Sequence, residues 1–166
     1  MYLLNLFEKT VIIWKKLKQG EIMELNSDKI SQNYQSILED IKKYSPYPEK
    51  VKILFVSKYL NIEEQETLIN MGYSYFGENR AQVYRDKMER FSSEKYENLI
   101  WDFIGRLQKN KIKYIITNIN LIHSIDSFDL LAEINKKAVE NNRIVNGLIQ
   151  INVSKEESKT GIYIED

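Results

Sequence analysis

The sequence of 166 residues has no cysteine, one histidine, two prolines and six glycines. Without cysteine, neither a disulfide framework nor a thiolate metal site can form, and His123 alone leaves little for zinc coordination. A reducing cytoplasm is therefore the expected location.

The chain also lacks a net charge, since 24 Lys and Arg residues balance 24 Asp and Glu residues. A neutral chain has no long-range field to gather polyanions, so neither nucleic acid nor a membrane is an expected partner.

A long apolar run is missing as well. The first 22 residues are rich in apolar side chains, but Glu8 and Lys9 interrupt them and three lysines follow, which does not fit a signal peptide or a transmembrane span. The codons needed for residues 20–22 resemble a ribosome-binding sequence placed before Met23. We therefore expect an extension at 1–22, with translation starting at Met23, and a domain at 23–166. The alternative for 1–22 is an amphipathic helix docked on the surface.

The rest of the chain alternates short apolar runs with amphipathic segments, and 43% hydrophobic with 29% charged residues is typical of one globular domain. After a helix at 28–44, strands are predicted at 51–56, 73–76, 99–104, 121–125 and 146–153, and helices at 62–71, 79–91, 108–117 and 127–141. Gly72 is placed as a helix C-cap, and Asp126 or Ser127 as an N-cap. Five strand-helix alternations predict an α/β fold with a parallel sheet.

No glycine-rich nucleotide-binding loop follows the first strand, so the alternation favours a (β/α) barrel over an open sheet. In such barrels the chemistry lies at the carboxyl ends of the strands. The residues there, polar apart from two glycines, are Ser57, Lys58, Gly77, Glu78, Asn79, Gly105, Arg106, Asp126, Asn152 and Ser154. A lysine at a strand end suits imine chemistry, because a partly desolvated ammonium loses its proton more easily, although a lysine after a strand is commonly a solvated loop residue.

Five blocks in order resemble the YggS/PROSC family of pyridoxal phosphate homeostasis proteins. They are Leu54-Phe55-Val56-Ser57-Lys58, Phe76-Gly77-Glu78-Asn79 with Gln82, Phe103-Ile104-Gly105-Arg106-Leu107-Gln108 with Asn110-Lys111, His123-Ser124-Ile125-Asp126, and Gln150-Ile151-Asn152-Val153-Ser154 with Ser158-Lys159-Thr160-Gly161. The resemblance runs from about residue 30 onward. It implies about the first five strands of a (β/α)8 TIM-type barrel of the alanine racemase N-terminal type.

The resemblance also implies that pyridoxal 5'-phosphate (PLP) is the cofactor and that Lys58 holds it as a Schiff base. Asn79 would lie beside the cofactor ring, or it would instead be the N-cap of the next helix. Gly77 would permit a tight turn. The implied function is a PLP-binding carrier or regulator in vitamin B6 homeostasis that does not turn over a substrate. The alternatives are a PLP-dependent enzyme such as an amino-acid racemase, and a truncated product without function.

Two departures from the family pattern bear on these expectations. The family carries histidine before Phe-Ile-Gly, where this chain has Asp102. The family also continues through three more strands, which supply the phosphate-binding groups, so the domain at 23–166 is expected to be an incomplete barrel. We expect a monomer, or a second chain that completes the barrel.

The basic residues Arg106, Lys109, Lys111 and Lys113 are interpreted as a solvated helix face. His123 is interpreted as a strand residue whose ring is satisfied by hydrogen bonds.

Overall fold

The computed structural model describes residues 10–13, 26–156 and 159–163. The chain divides into two compact units, Met1–Tyr73 and Ser74–Asp166. The first contains β1 (Thr10–Ile13), α1 (Ser27–Tyr44), β2 (Lys52–Val56) and α2 (Ile62–Asn70). The second contains β3 (Tyr75–Glu78), α3 (Ala81–Arg90), β4 (Ile100–Phe103), β5 (Leu121–Ile125), α4 (Phe128–Glu140) and β6 (Asn146–Ile149). The predicted alternation of strands and helices is confirmed.

In the first unit, β1 runs parallel to β2, with Thr10 opposite Lys52. Residues 10–13 are therefore a strand and not part of the amphipathic helix considered for 1–22, consistent with the β-branched residues Val11, Ile12 and Ile13. The remaining residues of 1–22, and with them the proposed start at Met23, lie outside the described residues. The extension therefore remains an expectation.

The helices of the first unit begin and end where local chemistry favours it. Asn26 caps α1 by accepting a hydrogen bond from the Lys29 amide at 2.8 Å. Asn61 and Glu64 form a reciprocal capping box at the start of α2, each side chain accepting from the other's amide at 2.8 Å. Beyond α2, Gly72 has φ of +92°, which confirms its prediction as the left-handed residue that ends the helix.

In the second unit, four parallel strands lie in the order β3-β4-β5-β6. Ser127 is the N-cap of α4, since its Oγ accepts from the Leu130 amide. The helix predicted at 108–117 is wrong in type, because the chain forms a 3-10 helix at Lys109–Tyr114. Ile112 in this 3-10 helix is buried, as are Ile115, Ile116 and Ile119 beyond it, so the tighter turn still places its apolar residue in the core. Strand β6 also ends earlier than predicted.

Among the described residues, no helix is both long and apolar enough to cross a bilayer.

The core of the second unit contains a group of aromatic side chains from α3 and from the strands. Trp101 lies 5.4 Å from the Phe76 ring and 5.9 Å from the Tyr84 ring, measured between centroids. All three side chains are almost fully buried. Burial raises the pKa of the Tyr84 hydroxyl above its usual range, and the Arg143 charge opposes this shift.

An ion pair lies within this core. The Lys87 Nζ is 2.9 Å from the Glu78 Oε2, and the two side chains are 3% and 0% exposed. Lys87 follows Ala81 and Tyr84 at spacings of three, and all three lie on the buried face of α3. The pair therefore connects the end of β3 to α3 in an environment where either charge alone is costly.

The substitution Lys87→Met should lower the free energy of unfolding by about 3–5 kcal/mol, because it leaves the buried Glu78 carboxylate without its counter-ion. Urea denaturation measures this loss. The double variant Glu78→Gln with Lys87→Met should recover part of it, and Lys113→Met, at an exposed lysine, should change stability by no more than about 0.5 kcal/mol. Equal losses in the single and double variants would contradict this role for the pair.

Candidate functional site

Lys58 lies in the turn that follows β2, as predicted. The preceding residue, Ser57, is fully buried, and its carbonyl accepts a hydrogen bond from the Leu60 amide at 3.0 Å. The capping box of Asn61 then starts α2. The chain on both sides of Lys58 is thus fixed by local hydrogen bonds. The Lys58 side chain is half-buried, and its Nζ lies 4.9 Å from the centroid of the Tyr59 ring.

Asn79 comes directly after β3, in the second unit. Its backbone amide donates to the Glu78 Oε1 at 2.9 Å. Its side-chain Oδ1 is buried, and within the described part of the chain it has no hydrogen-bond partner. The N-cap of α3 is Arg80, which makes no side-chain capping bond. The alternative role of Asn79 as a helix cap is therefore wrong, and a buried amide oxygen remains available at a strand end.

Gly105 follows β4 and lies against this strand end. A Cβ atom on Gly105 would be 2.2 Å from the Asn79 carbonyl oxygen, so only glycine allows the two backbones to come this close. The Ser124 Oγ donates to the Gly105 carbonyl from β5. The expectation that Gly77 permits a tight turn is wrong, because Gly77 lies within β3 and not in the turn that follows it.

Arg106 and Asp126 lie at the same strand ends, where the Arg106 Nε is 3.7 Å from the Asp126 Oδ2. A cavity of about 440 Å³ opens beside Arg106, and its lining includes Asn79, Arg80, Gln82, Gln108 and Lys111. Two residues of the basic cluster, Arg106 and Lys111, line this cavity. The Arg106 side chain is nevertheless 73% exposed, which agrees with the interpretation of the cluster as solvated. Lys109 instead pairs with Asp129 at 2.8 Å.

Asp102 forms a polar cluster that the sequence reasoning missed. Its fully buried carboxylate accepts a hydrogen bond from the Tyr75 hydroxyl at 2.5 Å and another from the side-chain Nδ2 of Asn120 at 2.8 Å. The His123 Nε2 also lies 2.8 Å from it. His123 is therefore a satisfied strand residue, as interpreted. The signal available in the sequence was an acidic residue inside the apolar strand Ile100–Phe103, whose burial requires several donors.

Asn152 and its neighbours organise the loop that follows β6. The Asn152 side chain is buried, and its Nδ2 donates to the carbonyls of Glu156 and Lys159 at 3.0 and 3.1 Å. Gly161 has φ of +138°, and a Cβ there would lie 2.7 Å from the Asn152 nitrogen. This block of the sequence therefore has a structural role in closing the loop.

The strand ends of the second unit bring Asn79, Gly105, Arg106 and Asp126 together, whereas Lys58 belongs to the first unit. The described residues contain no group of three His, Asp or Glu side chains that could hold a metal ion. The second unit thus presents a buried amide oxygen and basic side chains beside a cavity. The first unit, taken by itself, presents the Lys58 amine in a turn fixed by hydrogen bonds.

No protein-family model matches the sequence. Comparison with curated proteins finds relatives named pyridoxal phosphate homeostasis protein. The one from Aquifex aeolicus is 40% identical over 69% of this chain and 49% of its own length. The one from Buchnera aphidicola is 38% identical over 75% and 54%, and the one from Pasteurella multocida 35% identical over 84% and 58%. The chain thus spans about half the length of the curated relatives it matches.

Solved structures with the same fold include PipY of Synechococcus elongatus with PLP bound. It has a TM-score of 0.64 and 26% sequence identity over 75% of this chain and 55% of PipY. A protein of unknown function from Bifidobacterium adolescentis has a TM-score of 0.65 and 27% identity over 83% of this chain and 62% of its own. The expected fold, part of a TIM-type barrel, is confirmed by this likeness.

The substitution Gly105→Ala should lower the free energy of unfolding by about 1–3 kcal/mol, because the new Cβ meets the Asn79 backbone, which cannot move without disturbing β3. Gly147→Ala is the matched control. Its Cβ would meet the Ile125 Cδ1 at 2.3 Å, the end of a flexible side chain, so its loss should be smaller. Urea denaturation of both variants measures the difference, and a larger loss for Gly147→Ala would refute the expectation.

Proposed function

The chain belongs to the family of pyridoxal phosphate homeostasis proteins, and from that premise we propose that it binds PLP through a Schiff base on Lys58. It holds the cofactor without turning over a substrate. The observation that carries the proposal is the position of Lys58, in a hydrogen-bonded turn at the carboxyl end of β2. By keeping the reactive aldehyde of PLP bound, the protein contributes to vitamin B6 homeostasis.

The chemistry requires one amine and one aldehyde. The Lys58 Nζ, once it has lost its proton, adds to the aldehyde carbon, and release of water leaves the carbon-nitrogen double bond. A half-buried position suits this reaction, because it leaves the amine accessible to a small molecule. The turn from Ser57 to Leu60 fixes the backbone, so little conformational freedom of the chain is lost on binding.

Asn79 supports the proposal from the second unit. A buried oxygen without a partner is unfavourable in the free protein, and a ligand that donates a hydrogen bond to it removes that cost. Asn79 also belongs to the lining of the adjoining cavity. We assign Asn79 to the cofactor ring on this basis. The basic residues Arg80, Arg106 and Lys111 on the cavity wall suit an anionic ligand.

Purified protein mixed with PLP should turn yellow, and borohydride should then reduce the imine and fix the cofactor on Lys58. Peptide mass spectrometry identifies the modified lysine. Lys58→Arg keeps the charge but removes the primary amine, so the colour and the mass increase should be lost. Lys42→Arg, at an exposed lysine of α1, is the matched control and should leave both unchanged. Modification elsewhere, with Lys58 untouched, would overturn the proposal.

The substitution Asn79→Ala should separate cofactor binding from stability. It removes a buried oxygen that has no partner, so the free energy of unfolding should fall by no more than about 1 kcal/mol. The dissociation constant for PLP should rise about 5-fold to 15-fold, the usual effect of losing one hydrogen bond. Absorbance titration with PLP and urea denaturation provide the two numbers. Unchanged affinity would remove Asn79 from the site.

The protein should bind PLP without catalysing a reaction of amino acids with it. Protein loaded with PLP and incubated with L-amino acids should release no D-amino acid above a control with Lys58→Arg, because the proposed function is storage of the aldehyde. Chiral chromatography of the mixture measures this directly. Steady production of D-amino acid by the loaded protein, absent in Lys58→Arg, would replace the proposal by the racemase alternative.

A further inference from the structure

The turn that carries Lys58 also carries an exposed aromatic ring. Because the Leu60 amide donates to the Ser57 carbonyl at 3.0 Å, Lys58 and Tyr59 are the two central residues of a hydrogen-bonded β-turn. The Tyr59 side chain is 55% exposed, although an aromatic ring contributes most to stability when it is buried. Packing in a core therefore does not account for a tyrosine at this position.

Three other residues form the aromatic group of the first unit. The Phe55 ring lies 5.7 Å from the Tyr34 ring and 4.4 Å from the Tyr73 ring, measured between centroids. Tyr59 is not one of these three, and its ring meets the Lys58 side chain. The Lys58 Nζ lies over the face of the Tyr59 ring, 4.9 Å from its centroid. At this distance the electron-rich face of the ring attracts a positively charged nitrogen.

Contacts of this length between lysine and tyrosine recur in the first unit. The Lys43 Nζ lies 4.9 Å from the centroid of the Tyr44 ring, and the same distance separates the Lys50 Nζ from the Tyr47 ring. Such a contact is weak at an exposed site. The contact alone therefore does not distinguish Lys58 from other lysines, and its distinguishing feature is the backbone that presents the pair.

The backbone of Tyr59 is fixed on both sides. The turn begins at Ser57, which is fully buried at the end of β2, and the Leu60 amide closes it. Directly after Leu60, the capping box of Asn61 and Glu64 starts α2 with two hydrogen bonds of 2.8 Å. A ring on a backbone held in this way loses little further conformational freedom when a small molecule contacts it. The turn thus presents an amine and a ring face together.

We propose that the Tyr59 ring covers one face of the imine on Lys58, together with the cofactor ring attached to it, and so slows the release of PLP. This role of Tyr59 rests on the proposed function, because the imine is part of that proposal. The Lys58 Nζ becomes the imine nitrogen, and this atom already lies over the Tyr59 ring. The imine of an aromatic aldehyde is planar and conjugated with its ring, so it offers a flat face on which an aromatic side chain can stack.

Release of the cofactor from Lys58 requires water. The water oxygen adds to the imine carbon, the nitrogen takes up the two protons of the water, and cleavage of the carbon-nitrogen bond returns the aldehyde and the Lys58 amine. Water reaches the imine carbon from one of two faces, and a ring over one face blocks that approach. The aromatic contact also stabilises the bound form. Tyr59 therefore retains planar aromatic aldehydes in preference to aliphatic ones.

The release rate tests this role. Protein loaded with PLP is rapidly diluted, and the decay of the imine absorbance gives the rate. Tyr59→Ala should release PLP about 3-fold to 10-fold faster, the effect of losing one aromatic contact. Tyr59→Phe keeps the ring and should stay within about 2-fold of the unmodified protein. Tyr44→Ala, which removes the ring of a lysine–tyrosine pair with the same distance, is the matched control and should change nothing.

Competition between two aldehydes gives a second readout. The protein is mixed with pyridine-4-carbaldehyde and propanal at equal concentrations, cyanoborohydride reduces both imines, and peptide mass spectrometry compares the two adducts on Lys58. The ratio of aromatic to aliphatic adduct should be about 3-fold to 10-fold higher in the unmodified protein than in Tyr59→Ala. Comparing the two ratios cancels the intrinsic reactivity of each aldehyde. Neither aldehyde carries a phosphate, so the result depends on the ring alone.

The two proposals fail in different ways. If no adduct forms on Lys58 in the unmodified protein, both the proposed function and the role of Tyr59 are overturned. If the adduct forms there but Tyr59→Ala matches the unmodified protein in release rate and adduct ratio, the role of Tyr59 alone is overturned. Release from Tyr59→Phe as fast as from Tyr59→Ala would also overturn it, because the hydroxyl and not the ring would then matter.

Urea denaturation separates this role from a loss of folding. The Tyr59 side chain is 55% exposed, so the midpoint of Tyr59→Ala should be unchanged. Tyr59→Leu keeps an apolar side chain without an aromatic ring, and it should release PLP as fast as Tyr59→Ala. Release from Tyr59→Leu at the rate of the unmodified protein would show that bulk alone retains PLP, which contradicts stacking on an aromatic ring.

Discussion

The buried carboxylate of Glu78 is the constraint on which the second unit depends. One of its oxygens binds the Lys87 Nζ and the other accepts from the Asn79 amide, both at 2.9 Å. The same side chain therefore ties β3 to α3 and sets the backbone of the residue that follows the strand. Because a buried carboxylate is tolerated only when its oxygens are satisfied, the position of Asn79 is coupled to the core packing of α3. Stability and the geometry of the candidate site are thus linked at one residue.

Asp102 provides a second buried carboxylate, and its donors come from neighbouring elements. Tyr75 lies on β3, His123 on β5, and Asn120 directly before β5. Each donor compensates part of the cost of taking the charge out of water. The cluster therefore adds polar contacts between three parallel strands whose register is already specified by their buried faces.

The sequence predicts the elements of the fold well because their causes are local. Strand β2 is an apolar run, α2 begins at the Asn61 capping box, and Gly72 ends the helix with a left-handed backbone. The errors occur where tertiary contacts decide. Residues 109–114 form a 3-10 helix although the spacing of apolar residues over 108–117 suits an α-helix. The close approach of Gly105 to Asn79 and the Glu78–Lys87 pair join residues far apart in sequence, which no periodicity reveals.

The two chemical requirements of a PLP site differ in how much of the fold they need. The turn of Lys58 is maintained within the first unit, by the Leu60 to Ser57 hydrogen bond and the capping box of α2. Imine formation requires little beyond that turn and an accessible amine. Tight binding requires more, because a phosphate group gains most of its binding energy from several converging donors. The turn that presents Lys58 is thus set within the first unit, whereas tight binding of a phosphate group depends on donors that converge from several elements.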